Sequence, residues 1–387
     1  MGHITRDLAI AREIHRQNPE WELHWLVHPI AAMLLKDTGE NVLPESKLST
    51  DYTSIAETFY QDFKLNLIKY ILATRKAYQK NTELFNQVIG KRTYDLVIGD
   101  ESYEIIFAMC EGRIQNHPPF IIVHDFIGID SVKRNLLSKL FINIRNRRWS
   151  MFTRLPEVTQ FFIGELEDIP DKAFGIGLPN RREWARKHCR ILGNVVRFDP
   201  AEYADRAQIR KKLGYGSKPL VVCALGGSLA GHEMLTLCGR AFPLVRKEIP
   251  RLKMVFICGP SLDMKSLHVP DEIEVRGYVP DLYEHFAASD LAVVVGGGTS
   301  TIELVALNRP FLYFPLEEQF DQQINIAGRL ERLGAGVKMR YFQTTPESLA
   351  EQILANLGKE VSYPQVPIDG ARKAAQYISE LTDSDIK

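Results

Sequence analysis

DLAVVVGGGTSTIELVALNRPFLYFPLEEQFDQQINIAGRLERLGAG, residues 290–336, decides the fold. DLAVVV (290–295) is an apolar run too short for a buried helix and long enough for a buried strand. Three glycines, Gly296-Gly297-Gly298, follow it, and a helical pattern opens at about Ser300. PFLYFP (310–315) is a second apolar run, a second helical pattern follows, and AGVKM (335–339) closes the unit. Short buried strands separated by helices form a parallel sheet, because parallel neighbours need a crossover and the helices cover the faces.

The same alternation extends in both directions. Upstream lie PLVVCAL (219–225), KMVFICG (253–259) and EIEVRGYV (272–279), with helices between them. Earlier still come a helix at 6–17, ELHWLVH (22–28), a largely helical stretch at 52–89, DLVIGD (95–100), FIIVHD (120–125) and QFFIGE (160–165). Between 194 and 218 the pattern lapses into polar sequence with Pro200, Gly214, Gly216 and Pro219. The expectation is therefore an α/β protein of two doubly wound domains, residues 1–197 and 198–387. The last helical stretch, 369–382, is expected to pack back on the first. In such domains ligands gather at the carboxyl ends of the strands.

Composition narrows the class. The 387 residues hold 48 basic and 48 acidic side chains, so no global field points to nucleic acid. None of the five cysteines forms a CxxC pair, and Cys223 and Cys258 lie inside apolar runs, as core thiols in a reducing compartment would. No run of about 18 apolar residues and no signal-peptide pattern occurs.

Chemistry concentrates where strands end. A glycine turn that opens a helix lets backbone N–H groups and the helix dipole meet a phosphate. Ser300-x-x-Glu303 also has the form of a capping box, which would engage Glu303 with backbone donors. Phe320-Asp321-Gln322-Gln323-Ile324-Asn325 follows PFLYFP and groups the donors and acceptors that sugar hydroxyls require. A second glycine loop, Gly226-Gly227-Ser228-Leu229-Ala230-Gly231, follows 219–225 and matches neither GxGxxG nor GxxxxGK[ST]. Two glycine-approached helix starts in one domain suit a diphosphate.

Three motifs, GGS-x-x-G at 226–231, GYVPDLYEHFAASDLAVVVGGGTSTIE at 277–303 and DQQIN at 321–325, resemble the donor domain of GT-B glycosyltransferases. They are most similar to family 28, which includes the N-acetylglucosaminyltransferase of peptidoglycan lipid intermediates. UDP-sugar transferases of antibiotic and plant type are more distant. GHITRDLAIA (2–11) resembles the family's acceptor domain. The resemblance implies two Rossmann-like domains facing across a cleft. It implies an inverting, metal-independent hexosyltransferase that moves a sugar from a nucleotide diphosphate, UDP, to an acceptor hydroxyl, with the sugar nucleotide as substrate and no cofactor. The acceptor would be lipid-linked or a cell-envelope glycan precursor. Tyr278 and Val279 would meet the base, and Glu303 the ribose. Gly297, Gly298, Thr299 and Ser300, with Gly227 and Ser228 of the first loop, would meet the diphosphate. Asp321, Gln322 and Gln323 would meet the sugar. Plant-type relatives place a histidine where Val295 stands, so the helix dipole and backbone would carry phosphate neutralisation here. In the family an apolar strand precedes Gly-His, so the first strand of the amino-terminal domain is expected to be missing from this chain.

A base is required at the acceptor. His3, at the family's Gly-His, is the candidate, with Asp100 at the end of 95–100 as its orienting carboxylate. Asp100 also has the form of a helix N-cap, and His124-Asp125 is a reserve pair. The one Asp-x-Asp triplet, Asp383-Ser384-Asp385, lies in the polar tail rather than at a strand end, which argues against a metal site. Residues 131–152 carry Lys133, Arg134, Lys139, Arg145, Arg147 and Arg148 and no acid. Leu136, Leu137, Leu140, Phe141, Ile144 and Trp149 interleave, a pattern suited to an anionic membrane surface or to an ordinary amphipathic helix. These features predict a cytoplasmic protein, peripheral on the inner face of the membrane. Two other functions fit the same residues: a sugar-nucleotide epimerase or hydrolase of related fold, and a donor-binding protein without transfer activity.

Overall fold

Two parallel sheets carry the strand–helix alternation, one of four strands and one of six. The computed structural model describes residues 2–50, 55, 58, 60–61, 64–65, 67–132, 136–149, 151–155, 157–225, 231–260, 262–317 and 319–384. The chain forms two compact units. One is built on His3–Phe59, Asn66–Val195 and Pro367–Lys387, the other on Met1–Gly2, Tyr60–Leu65 and Val196–Val366.

In the first unit the chain runs through α1 (Gly2–Gln17), β1 (His24–Trp25), α2 (Pro29–Asp37) and β2 (Asn41–Val42). The expected strand at 22–28 is only β1. It pairs in parallel with β2 as a two-stranded ribbon outside the main sheet. Pro29 opens α2 and Pro44 opens a 3-10 turn, so neither strand extends further. The stretch expected to be helical from 52 instead contains an antiparallel pair, β3 (Tyr60–Gln61) with β4 (Lys64–Leu65), which belongs to the other unit, before α3 (Leu67–Lys91) begins.

Next come β5 (Val97–Asp100), α4 (Tyr103–Cys110), β6 (Phe120–His124), α5 (Leu136–Trp149), β7 (Val158–Ile163), α6 (Arg181–His188) and β8 (Cys189–Gly193). The order β5-β6-β7-β8 is parallel throughout. Every residue of β6 is buried, as a central strand covered on both faces requires. On one face Ile106, Met109, Phe120, Ile122 and Phe162 share a core. On the other, Ile10 and Ile14 of α1 pack with Ile121, Val123 and Phe161 and with Ala374, Ala375 and Ile378 of the last helix, Gly370–Ser384.

The second unit contains α7 (Arg206–Leu213), β9 (Leu220–Ala224), α8 (His232–Glu248), β10 (Lys253–Ile257), β11 (Glu274–Arg276), α9 (Leu282–Ala288), β12 (Leu291–Val295), α10 (Gly298–Ala306), β13 (Phe311–Phe314), α11 (Ala327–Arg332), β14 (Val337–Lys338) and α12 (Pro346–Asn356). The final helix of the chain is α13 (Gly370–Ser384). The sheet order is β11-β10-β9-β12-β13-β14. From β9 the strands step outward one way, and from β12 the other. The order therefore reverses between β9 and β12, each of which is followed in the sequence by glycines. Such a switch point is where open α/β sheets bind ligands. Met234, Cys238 and Phe242 of α8 and Leu349 and Ile353 of α12 cover one face, with Cys223 and Cys258 in the same core. Among the described residues no helix is long and apolar enough to cross a membrane.

Candidate functional site

The switch-point turn is shaped by close approach. A Cβ on Gly296 would stand 2.9 Å from the Cα of Pro315, just past β13, so only glycine lets the two strand exits touch. The Gly297 amide turns back onto the Val295 carbonyl at 2.7 Å. The helix opens at Gly298, not near Ser300, with Gly297 at the N-cap. The expected capping box is therefore not formed: Ser300 is the third helical residue and Glu303 lies a turn deeper. The first intrahelical bond is Thr301 N to Gly297 O, 3.2 Å. The amides of Gly298, Thr299 and Ser300 precede it and lie at the positive end of the helix.

Glu303, free of capping, is 3% exposed. Burial raises its carboxyl from the ordinary 4.5 to about 7, with Arg197 opposing and Asp281 adding to the shift. Arg197 lies over the Tyr283 ring at 5.1 Å and donates to the Pro280 carbonyl at 3.3 Å and to Asp281 at 3.5 Å. It thus ties the segment leaving β11 to the neighbourhood of Glu303. In that segment Tyr278 is exposed and Val279 half-buried. Arg197 carries little signal in the sequence. It follows Asn194-Val195-Val196 in the polar stretch between the two domains.

Asp321–Ile326 forms a π-helical turn after β13. Gln322 Oε1 accepts from the Leu316 amide at 2.8 Å, and Gln323 Nε2 donates to the carbonyls of Pro315 (3.1 Å) and Leu316 (3.3 Å). Both amides staple the β13 exit, which leaves Gln322 Nε2 and Gln323 Oε1 for other partners. Asp321 accepts from Asn325 at 3.2 Å. Ile326 packs 3.6 Å from where a Cβ on Gly298 would be, so this turn and the start of α10 form one surface. Gly227 and Ser228 lie outside the described residues.

In the first unit α1 brings His3 and Arg6, one turn apart, to the carboxyl ends of β5 and β6. His3 Nδ1 meets Asp100 Oδ2 at 2.7 Å. Arg6 is 6% exposed and donates to Asp100 Oδ1 at 2.6 Å and to Asp125 Oδ1. Asp125 also lies 3.7 Å from His3. Burial lowers the His3 pKa, but the charge and hydrogen bond of Asp100, then Asp125, outweigh it and raise the imidazole to about 10. Asp100 is held well below its ordinary value: burial opposes this, and Arg6 and His3 prevail. Asp100 is not an N-cap, since α4 starts at Tyr103 with Ser102 in that position.

The reserve pair does not hold together. His124 is fully buried between Tyr103 (3.3 Å) and Gln160 (3.3 Å), and burial pushes it down to about 4. It is a core histidine, and only Asp125 joins the cluster. On α5, Lys139, Leu140, Phe141, Ile144, Arg147 and Arg148 are exposed, whereas Trp149 turns inward. The side chains of Leu136 and Leu137, and Lys133 and Arg134, fall outside what is described; of the Asp383-Ser384-Asp385 triplet, Asp383 and Ser384 end α13 with their side chains outside what is described, as is Asp385.

Residues 221–379 match the glycosyltransferase family 28 C-terminal domain. The chain is 22% identical over 370 residues to UDP-N-acetylglucosamine–N-acetylmuramyl-(pentapeptide) pyrophosphoryl-undecaprenol N-acetylglucosamine transferase of Clostridioides difficile, covering 92% of this chain and 79% of that one. An uncharacterised glycosyltransferase of Methanosarcina acetivorans is 32% identical over 143 residues, 35% of each chain. In three dimensions the chain is similar to the calicheamicin glycosyltransferase, with a TM-score of 0.56 and 14% identity, covering 98% of this chain and 91% of that one.

Proposed function

We propose that the chain is a nucleotide-sugar glycosyltransferase, a reading supported by the match of residues 221–379 to the family 28 C-terminal domain and by the likeness to the clostridial transferase, and that it performs a metal-independent, inverting transfer from a UDP-sugar to an acceptor hydroxyl. The observation that carries the chemistry is the 2.7 Å contact between His3 and Asp100. A carboxylate on Nδ1 fixes the tautomer that leaves Nε2 to accept the hydroxyl proton. The acceptor oxygen then forms a bond to the anomeric carbon from one face as the bond to the diphosphate oxygen breaks on the other.

The leaving diphosphate gains charge as that bond breaks, and the amide end of α10 is suited to stabilise it. In this reading Gly297, Gly298, Thr299 and Ser300, with Gly227 and Ser228, hold the diphosphate. Glu303 takes the ribose hydroxyls, and the backbone at Tyr278 and Val279 takes the base. Asp321 and the uncommitted ends of Gln322 and Gln323 take the sugar. The acceptor is a lipid-linked envelope precursor, in keeping with the named substrate of the clostridial relative. The exposed Leu140, Phe141 and Ile144 beside Arg147 and Arg148 suit docking on anionic lipid at the inner face of a cytoplasmic membrane.

The test is His3→Ala with a UDP-sugar and a lipid-pyrophosphate acceptor. The expected result is a loss of kcat of about 100-fold or more with donor affinity retained; undiminished transfer removes His3 as the base. Transfer that persists in chelator supports metal independence, and abolition by chelator with rescue by a divalent cation refutes it. Binding to phosphatidylglycerol vesicles that is lost at high salt and in Leu140→Ser/Ile144→Ser supports the lipid surface; equal binding to neutral vesicles refutes it.

A further inference from the structure

Arg6 has no place in the transfer chemistry as described, yet its guanidinium is the most heavily engaged group around His3. We infer that Arg6 is the positioning residue of the base: by bridging Asp100 and Asp125 it presents one Asp100 oxygen to His3 Nδ1 and leaves Nε2 as the site of proton uptake. This rests on the reading of His3 as the base.

The geometry is specific to a fork. Arg6 Nη2 donates to Asp100 Oδ1 at 2.6 Å while the other oxygen of the same carboxylate meets His3 at 2.7 Å. Nη1 reaches Asp125 at the neighbouring strand end. A two-pronged guanidinium fixes the planes of both carboxylates, which a single ammonium cannot do. Arg6 Nη2 also lies 3.1 Å from His3 Nδ1. Were Nδ1 the basic atom, Arg6 would occupy it. With Nδ1–H donating to Asp100, the open nitrogen is Nε2, on a side chain 49% exposed.

Arg6 also sets how tightly His3 holds its proton. Among the described residues, the ionisable groups facing His3 are Asp100 and Glu101 from the end of β5, Asp125 from the end of β6, and Arg6 and Asp7 from α1, with burial pushing the Asp7 carboxyl well above its ordinary value. Asp100 and Asp125 favour the charged imidazole, and among the described residues Arg6 is the one cation opposing them. Its withdrawal would leave the imidazolium more strongly held and the free base scarcer at neutral pH.

The experiment compares wild type, Arg6→Lys, Arg6→Met and His3→Ala, reading kcat, KM for the nucleotide sugar, the pH dependence of kcat/KM, Tm, and the His3 imidazole titration by NMR. Arg6→Lys should keep KM and lower kcat by about 10- to 100-fold. In both Arg6 variants the alkaline inflection and the NMR titration should move to higher pH, further in Arg6→Met. A purely structural role predicts a lower Tm with the inflection and titration unmoved, and that result overturns the proposal. Should Arg6→Met fail to fold, Arg6→Lys decides alone: wild-type kcat with a wild-type inflection overturns it. Undiminished transfer by His3→Ala defeats the base reading instead, and the NMR titration still reports whether Arg6 governs His3.

Discussion

Glu303 and His3 both hold a proton more tightly in the folded chain, so each makes stability fall as pH rises, in different windows. Glu303 keeps its proton in the folded chain up to about 7, against an ordinary 4.5. Between those values the unfolded chain has released a proton that the folded chain retains, so stability falls as pH rises through the window. The penalty reaches about 3 kcal/mol above pH 7. Glu303→Gln should therefore raise Tm relative to wild type at pH 8 and lose that advantage near pH 5. In the proposed role it should also weaken UDP binding by about 10- to 100-fold. Calorimetry at the two pH values and titration with UDP check both halves; a Tm difference independent of pH removes the buried-carboxylate argument. His3 has the same sign in a higher window. Its pKa is raised to about 10, so the stability it gains from Asp100 and Asp125 is fully present below 6.5 and is lost as pH rises through 10. Only the neutral ring accepts a proton, so kcat/KM should climb about tenfold per pH unit toward that value. Asp100→Asn should bring the inflection down toward the ordinary 6.5 while lowering kcat. An inflection unmoved by the substitution separates Asp100 from His3.

At the scale of elements, the turn between β12 and α10 separates space from function. Gly296→Ala pushes a Cβ to 2.9 Å from the Pro315 backbone and should cost about 1–3 kcal/mol of stability along with nucleotide affinity. Gly297→Ala meets nothing nearer than 4.0 Å at φ −76°. It should keep Tm and lose UDP affinity, because the added methyl would face the proposed diphosphate. Equal UDP binding by Gly297→Ala and wild type excludes close backbone approach there. The strands flanking this turn were legible because apolar runs such as DLAVVV and PFLYFP end at Gly or Pro. The helix start was misplaced because Ser300 and Glu303 offered a side-chain cap, whereas the cap is a glycine, which carries no side-chain signal. Arg6 and Arg197 were illegible for a different reason. Their carboxylate partners Asp100 and Asp281 lie 94 and 84 positions away, and only sheet topology brings them together. His124 drew attention as a strand-end histidine, yet alternation along a strand fully covered on both faces cannot distinguish a site from a core.

For the whole molecule, the chain's return to its first unit is the feature with the largest energetic weight. α13 places Ala371, Ala374, Ala375 and Ile378 in the core beside Ile121, Val123 and Phe161. The segment ahead of it is stitched to the end of β8 by Asn194 N to Pro367 O at 2.8 Å and Gly370 N to Asn194 O at 3.0 Å. Withdrawing these side chains exposes apolar surface worth about 5 kcal/mol, comparable to the whole stability of an ordinary domain. A chain ending at Val366 should therefore lose the folded state of the unit that carries His3, Arg6 and Asp100. The unit built on Val196–Val366 has its own six-stranded sheet and its own core, and contributes none of those contacts. It should still fold and still gain Tm with UDP. Calorimetry of the truncated chain, with and without UDP, decides between the alternatives. One UDP-sensitive transition and no transfer is the expected outcome. Loss of the UDP-induced shift would show that the carboxy-terminal unit depends on the other for its own folding, and full transfer activity would remove α13 from the structure that holds the base.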